Sequence, residues 1–379
     1  MDSAGIRPGE IRGDDDLPTL PISRKTESMD AQKANPPFGD FVAVPIEQLK
    51  NIFVSPGPIF YPRATDEEVV QLRAKTFFAG GFRPGDIVQN CFVHHLVPAG
   101  IELGNALMAI GCVVIPAGGG NTELQIEVMR RLKVSGYVGT PSFLNILADK
   151  AEESGFNLKK DFALEVGFCG AEMLPESLRK SLEERWGAIV RQSYATADTG
   201  LLGYECRELS GMHIPEERMV EIVDPTTGER VPTGQVGEVV ASANSRTVPL
   251  LRYATGDLSL ISDEPCPCGR TSPRILRIVG RAEDSTKVRG MFVYPRQVDE
   301  VVAKFPAIAK YQIVVTREKD RDDMTFLVEL KEEVNRAELT ANLQDRIRDV
   351  IKLRAEVEYV SAGTIPEGAK KLVDKRVWT

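Results

Sequence analysis

Cysteine, histidine and tryptophan are scarce in this chain of 379 residues, which holds six, three and two of them. The cysteines (Cys91, Cys112, Cys169, Cys206, Cys266 and Cys268) do not fall at the spacings of a disulfide framework. Four sit in or beside apolar runs or glycine turns, the usage expected of a reducing, cytosolic compartment. No run of eighteen apolar residues occurs, so no helix is expected to span a membrane. The opening MDSAGIRPGEIRGDDD is polar and acidic, without the apolar segment of a secretory signal. Positive charge is also short. Lys and Arg number 47 against 55 Asp and Glu, a net charge of −8, which argues against nucleic acid as a partner. What is present is globular in character, with 42% hydrophobic and 27% charged positions, at a length that suits about two to three domains.

The first forty residues are proline-punctuated and carry the acidic triple Asp14, Asp15 and Asp16, which reads as a surface-crossing segment rather than an element. From Asp86 a regular alternation begins. DIVQNCF, CVVIPAG, GYVGTP, ALEVGFCG and AIVRQSYA read as strands. Between them, PAGIELGNALMAIG, NTELQIEVMRRLKV, SFLNILADKAEESGF (with Ser142 as N-cap) and PESLRKSLEERWG carry apolar residues at helical spacing. Such alternation predicts βαβ units and a parallel sheet, with ligands gathered where the strands end. After Leu202, short alternating runs split by Asp-Pro, Thr-Gly and Gly-Asp signals predict an antiparallel β region. Past Gly280 the order helix, strand, strand, helix, strand predicts a small α+β unit. The expected fold is thus α/β: residues 1–279 form a large domain with a β subdomain, and residues 280–379 a small C-terminal one.

Six segments could carry chemistry. Cys206 and His213, with the Cys-Pro-Cys knuckle of Cys266 and Cys268 some fifty residues on, suit a closed tetrahedral zinc site of structural type. Unrelated thiols in an irregular β region read as well. GFCGAE (Gly167 to Glu172) lies at a strand-to-helix turn where backbone can approach a flat ligand, or is simply a tight turn. SYATADTG (Ser193 to Gly200) sets an aromatic, hydroxyls and Asp198 at a strand's end. It suits a base, a phosphate and Mg²⁺, while Asp198 or Thr199 capping a helix is the plainer alternative. In RYATGDL, Asp257 can take a ribose diol, or Thr-Gly-Asp is an ordinary turn. GRAEDSTKVRG (Gly280 to Gly290) reads as a solvated hairpin or a hinge. Lys370 and Lys371 near the end could reach an anionic centre, or form a solvated basic tail.

Taken in order, GTPSF, GFCGAEMLPE, SYATAD, LLRYATGDL, GRAEDSTKVRGMFVYP and the terminal lysine segment resemble the adenylate-forming (acyl-CoA synthetase) superfamily, most closely its phenylacetate–CoA ligase branch. GFRPGDIVQN and VIPAGGGNTELQ strengthen the branch assignment, and the knuckle resembles the zinc site of some of its members. The resemblance runs from about Gly81 to the end. It implies a large N-terminal domain with a mobile C-terminal one. The implied reaction joins an aromatic or arylacetic carboxylate to coenzyme A through an acyl-adenylate, with ATP, Mg²⁺ and structural Zn²⁺ as cofactors. The rivals are a different acyl acceptor and a degenerate homologue that binds nucleotide without turnover.

Residue by residue, the resemblance places Gly170, Ala171 and Glu172 beside the adenine, Tyr194 stacked on it, and Thr196 at the α-phosphate. Asp198 holds Mg²⁺ in place of the more usual glutamate, Asp257 takes the ribose hydroxyls, and Arg281 lies at the nucleotide. Glu283 and Asp284 form the hinge, and Lys370, or failing it Lys371, bridges to the α-phosphate. His94 and His95 either line the acyl pocket or sit one buried and one exposed at a helix start. Phe92, Phe143 and Gly118 to Gly120 are further pocket candidates. A homodimer is the assembly implied. Relative to that family the chain starts later, and FVSPGPIFYP stands where a glycine- and serine-rich phosphate loop is expected. Pro56 and Pro58 there lack the amide protons such a loop uses.

Overall fold

The structure, a computed structural model, describes residues 5–55, 59–64, 67–282, 286–288, 291–293, 295–318 and 321–376. Its contacts divide into two compact units. One takes Met1–Thr255 with Ser259–Arg277, the other Gly256–Leu258 with Ile278–Thr379. None of the helices among the described residues is long and apolar enough to cross a membrane.

In the first unit the chain runs α1 (Lys25–Ala34), β1 (Leu49–Ser55), β2 (Ile59–Ala64), α2 (Glu67–Gly80), β3 (Ile87–Asn90), α3 (Ala99–Ile110) and β4 (Val113–Pro116). It continues through α4 (Thr122–Arg131), β5 (Gly136–Gly139), α5 (Pro141–Glu153), α6 (Leu158–Asp161), β6 (Val166–Cys169), α7 (Glu176–Trp186) and β7 (Ile189–Thr196). Strands β4, β3, β5, β6 and β7 pair side by side and in parallel. Every residue of β5 and β6 is buried, because helices cover both faces and the strands need no polar side. On one face Phe77, Ala106 and Leu107 of α2 and α3 pack on Val88, Val138 and Phe168. On the other, Met129, Leu144, Leu147 and Leu182 of α4, α5 and α7 pack on Tyr137, Cys169 and Val190. Truncating a fully buried leucine such as Leu147 to alanine costs about 2–5 kcal/mol in a core of this kind.

Beyond β7 the sheet turns antiparallel through β8 (Gly200–Glu205) and β9 (Met212–His213). With β10 (Arg218–Val223), β11 (Gly237–Ala243), β12 (Leu250–Ser262) and β13 (Arg274–Arg281), it reaches eleven strands. In the second unit β14 (Thr286–Val288) and β15 (Met291–Val293) form a hairpin. Then come α8 (Pro295–Val302), β16 (Ile308–Glu318), β17 (Arg321–Leu330), α9 (Arg336–Ile351), β18 (Glu356–Tyr359) and β19 (Leu372–Asp374). The four-stranded sheet has the order β18-β17-β16-β19. Val298 and Val301 of α8 and Leu343 and Ile347 of α9 share one core with Ile313, Val315, Phe326 and Val328 of that sheet.

Four local readings are corrected. The amino-terminal segment contains a true helix, α1, whose KTESMDAQKA has no buried residue and so gives no apolar period to detect. The stretch before it is also fixed: Arg252 donates to the Pro18 and Leu20 carbonyls at 3.1 and 2.7 Å while pairing with Glu221. The cap of α5 is Thr140, which accepts the Phe143 amide at 3.3 Å, with Pro141 as the first helical residue; Ser142 lies inside. SYAT belongs to strand β7 itself, and a strand rather than a helix follows Thr199, so no helix is capped there. Thr-Gly-Asp, finally, is not a turn. Gly256 keeps a left-handed φ of +75° inside the continuous strand β12, a conformation that local sequence signals equally as a turn.

Candidate active site

A cavity of about 620 Å³ opens in the first unit at the carboxyl ends of the parallel strands. Cys91 and Phe92 follow β3, Thr140 follows β5, Gly170 and Ala171 follow β6, and Ser193, Ala195 and Thr196 come from β7. Phe77, Phe143, Ile146 and Phe168 supply much of the apolar wall. Largely apolar lining with a few convergent polar groups is the composition of a small-molecule site. The two wall thiols do not add reactivity. Burial pushes both Cys91 and Cys169 up to about 12, so they remain protonated packing groups.

Gly170 and Ala171 line this cavity, and Ala171 holds a left-handed φ of 63°, a conformation that costs an L-residue about 1–2 kcal/mol. Such strain persists where surrounding structure enforces it, often at sites of function. Glu172 is exposed beyond them. The Thr196 hydroxyl lies 2.9 Å from that of Thr199 and accepts the Thr199 amide at 3.1 Å, which fixes the β7–β8 turn. Tyr194 is buried at 9% exposure and donates its hydroxyl to Thr255 at 3.2 Å.

Asp198 lines an adjoining chamber of about 130 Å³. Its Oδ1 accepts the hydroxyls of Tyr61 at 2.9 Å and Tyr253 at 2.7 Å. Both bonds fall on one oxygen, so the carboxylate is oriented while Oδ2 keeps lone pairs for a further partner such as a divalent cation.

Several cavity residues were not foreseen. Arg63 and Arg73 both meet Glu102, at 3.4 and 2.6 Å, and all three line the cavity wall. The available signal was Glu102, the sole charge in the apolar α3 sequence AGIELGNALMAI. Phe92, Phe143 and Gly119 do reach the cavity. His94 and His95 do not line it. The lining passes from Val93 to Val97, His94 is half-buried with its ring over Gly100 at the start of α3, and His95 is exposed.

In the second unit Asp257 and Arg281 form an ion pair at 2.7 Å. A Cβ on Gly256 would lie 2.8 Å from the Arg281 guanidinium, at a backbone angle already closed to most residues. Gly256→Ala should therefore displace Arg281 from Asp257 and cost about 1–2 kcal/mol of stability, measured by chemical denaturation, with little change in the far-ultraviolet spectrum. Glu283 and Asp284 lie outside the described residues. Lys371 pairs with Asp299 at 2.5 Å and sits 5.6 Å from the centre of the Tyr311 ring. Lys370 is exposed, and its carbonyl accepts from Gln312 at 2.8 Å.

The four expected metal ligands come together. Cys206 after β8, His213 on β9, and Cys266 and Cys268 between β12 and β13 bring their ligand atoms within 4.8 Å of one another. Cys206 Sγ is 3.8 Å from Cys266 Sγ, and Cys268 Sγ is 3.4 Å from His213 Nε2. A tetrahedron with Zn–S near 2.3 Å and Zn–N near 2.0 Å has edges of about 3.8 and 3.5 Å, so the set fits zinc. His213 Nδ1 lies 3.3 Å from the Ser272 hydroxyl, which orients Nε2 toward the thiols. Burial, then Arg270 and Arg274, lowers His213 to about 4, so the imidazole is neutral. Burial pushes the Cys268 thiol up, but the Arg270 backbone and side-chain donors and the neighbouring thiols outweigh it, leaving it lowered to about 7.

A strained strand tip, an apolar cavity at the ends of a parallel sheet and a separate α+β unit are the parts of an adenylate-forming enzyme. The family model for AMP-binding enzymes matches residues 79–247, and that for the AMP-binding enzyme C-terminal domain matches residues 290–378. The chain belongs to this family, in its phenylacetate–CoA ligase-like branch. It is 34% identical over 344 residues to a phenylacetate-coenzyme A ligase of Thermus thermophilus, covering 88% of this chain and 76% of that one. It is 30% identical over 390 residues to the phenylacetate-coenzyme A ligase of Escherichia coli K12, covering 98% and 87%. Among solved structures, an open conformation of 2-hydroxyisobutyryl-CoA ligase in complex with 2-HIB-AMP and CoA superposes with a TM-score of 0.90 at 25% identity, over 98% of this chain and 85% of that one.

Proposed function

We infer that this chain is an AMP-forming acid–thiol ligase that joins a carboxylic acid to coenzyme A through an acyl-adenylate. A carboxylate oxygen attacks the α-phosphorus of ATP, the bridging P–O bond breaks, and pyrophosphate leaves with its electron pair. The coenzyme A sulfur then attacks the acyl carbon, losing its proton to solvent, and AMP leaves with the electrons of the C–O bond. Such displacements need positioning and charge neutralisation more than covalent help from the protein.

The observation that carries this reading is the cavity at the strand ends, lined by Gly170, Ala171 and Thr196. In it, the Gly170–Ala171 backbone borders the adenine, with Glu172 exposed just beyond, and the Thr196 hydroxyl donates to the α-phosphate. Tyr194, buried and outside the cavity lining, would offer its ring to the base only by leaving its bond to Thr255. Asp257 takes the ribose hydroxyls, with Arg281 beside it. Asp198 holds Mg²⁺, which supplies neutralising charge at the phosphates, and Lys370 serves the α-phosphate in the first half-reaction. Cys206, His213, Cys266 and Cys268 hold a structural Zn²⁺. With all four positions taken by protein, that metal has no place for substrate.

The acid is aromatic in this reading. Phe77, Phe92, Phe143 and Phe168 line the cavity, and rings favour edge and offset contacts with a ring. Phe143→Ala should shift kcat/KM toward bulkier acids by about tenfold, read with matched pairs of aryl carboxylates. A homodimer belongs to the same reading through the branch, and light scattering checks it. The deciding experiment supplies ATP, Mg²⁺ and a panel of aromatic carboxylates, with and without coenzyme A. Thioester should form with at least one acid. Pyrophosphate release without thioester would move the activity to another acceptor, and ATP binding without release would leave only a nucleotide-binding homologue.

A further inference from the structure

One edge of the apolar cavity is built on glycine. Gly118, Gly119 and Gly120 join β4 to α4, and Gly119 lines the cavity while lying exposed at its margin. Gly118, Gly120 and the following Asn121 all take left-handed backbone angles, with φ of +67°, +81° and +47°. A Cβ at any of the three glycines would meet nothing within 4 Å, so packing does not confine the loop at these positions. A glycine run in open space has many conformations of similar energy. The Asn90 carbonyl ties down its entry by accepting the Ala117 and Gly118 amides, each at 3.0 Å. Among the described residues no backbone–backbone hydrogen bond involves Gly119 or Gly120.

A buried side chain supplies what the loop lacks. Gln125, the fourth residue of α4, is 4% exposed. Its Nε2 donates to the Gly118 carbonyl at 2.9 Å and to the Gly120 carbonyl at 2.7 Å. Both protons of the amide are thereby used, one on each side of Gly119. Its Oε1 accepts Gln89 Nε2 at 2.9 Å and the Cys91 thiol at 3.2 Å. Cys91 is a wall residue of the same cavity, so this one amide links the wall at the end of β3 to the glycine edge. The arrangement costs stability. Gln89 is fully buried, and among the described residues its Oε1 has no hydrogen-bond partner. Apolar side chains of the same size would fill this part of the core at lower cost. Stability therefore does not account for the pair of glutamines, and what the pair reaches from the core is the loop.

We propose that Gln125 is a specificity-determining positioning residue: its two bonds fix the Gly118–Gly120 loop as the rim of the acid-binding cavity and so set which carboxylic acids seat there. This role rests on the ligase reading for the identity of the ligand, and deepens it by naming the residue that holds the edge of the pocket. Gln125 does not itself line the cavity; it acts through Gly119. A rim held in one conformation excludes acids that overrun it and gives smaller ones a closed contact surface, since positioning is only as good as the groups that support it. A loose rim does neither.

The test compares Gln125→Met with Gln89→Met in the full chain. Methionine nearly matches glutamine in volume and adapts to its surroundings, so core packing changes alike in the two, and only Gln125→Met frees the loop. Hydrogen exchange of the Ala117 and Gly118 amides, which bond to Asn90, should quicken about tenfold in Gln125→Met and stay within about twofold in Gln89→Met. Turnover is then measured with ATP, coenzyme A and aryl carboxylates of increasing size. In Gln125→Met the kcat/KM ratio of the smallest accepted acid to the bulkiest should fall about fivefold to tenfold. The fall should come through KM for the acid, with kcat and KM for ATP within about twofold. Gln89→Met should keep the ratio. An unchanged ratio in Gln125→Met, an equal fall in both variants, or a loop that exchanges no faster would overturn the proposal. If Gln125→Met fails to fold, Gln125→Glu replaces it, keeping Oε1 toward Gln89 and Cys91 while setting an oxygen against both loop carbonyls. An unaltered chain that activates no acid would remove the ligase reading and this role with it, a failure seen before any variant is made.

Discussion

Lys370→Ala should slow acyl-adenylate formation by about a hundredfold or more and leave thioester formation from a supplied acyl-adenylate within about threefold. A preorganised cation at the phosphorus under attack is worth roughly 3 kcal/mol or more of transition-state stabilisation, and it acts only while negative charge builds on that phosphate. The choice between the two adjacent lysines follows from their surroundings. Lys371 is committed to Asp299 at 2.5 Å and to the face of Tyr311, and its carbonyl accepts the Ile313 amide at 2.7 Å, which anchors the start of β19. Lys370 is exposed, and no ion pair of its ammonium is recorded among the described residues. Lys371→Ala should therefore change adenylation less than about tenfold. Rapid-quench measurement of pyrophosphate release, set against the rate from synthetic acyl-adenylate, separates the two. Larger loss in the Lys371 variant, or equal loss in both half-reactions, would refute the assignment.

The second large effect concerns the metal. The purified chain should contain about one zinc, and Cys206→Ser should lower that content and cost at least ~3 kcal/mol of stability, about 4 °C in Tm for a chain of this size. The cluster ties β8, β9 and the β12–β13 connection together, and its loss releases all three. Because four protein ligands would leave a bound zinc no open coordination position, the variant that stays folded at low temperature should keep most of its turnover. Metal analysis, a melting curve and thioester assay on the same preparation read all three expectations. A zinc content of zero in the unaltered chain would refute the assignment.

Much of this fold was legible because its signals are strong ones. Strands β3 to β7 are short apolar runs with turn residues between them, and the helices α3, α4, α5 and α7 carry apolar faces at helical spacing; both features follow from burial. The convergence of Cys206, His213, Cys266 and Cys268 was legible because thiols and histidine are few here, so their proximity in sequence carried weight. What escaped notice escaped for physical reasons. Helix α1 buries nothing, so its sequence has no face. Gly256 has a left-handed φ inside a strand, and nothing local distinguishes that from a turn. The two arginines that meet Glu102 come from a strand and a helix, and only the tertiary fold brings them to it. Tyr61 and Tyr253 approach Asp198 from 137 and 55 residues away, a separation no motif can encode.

Adenylation at the Thr196 turn beside the apolar cavity is the step on which every proposed role turns. Exchange of labelled pyrophosphate into ATP, measured with and without an aromatic carboxylate and without coenzyme A, reads that step alone. Acid-dependent exchange that is abolished by Asp198→Asn and retained in the zinc-ligand variant is the predicted result. Exchange that ignores the acid, or that survives Asp198→Asn intact, would contradict it.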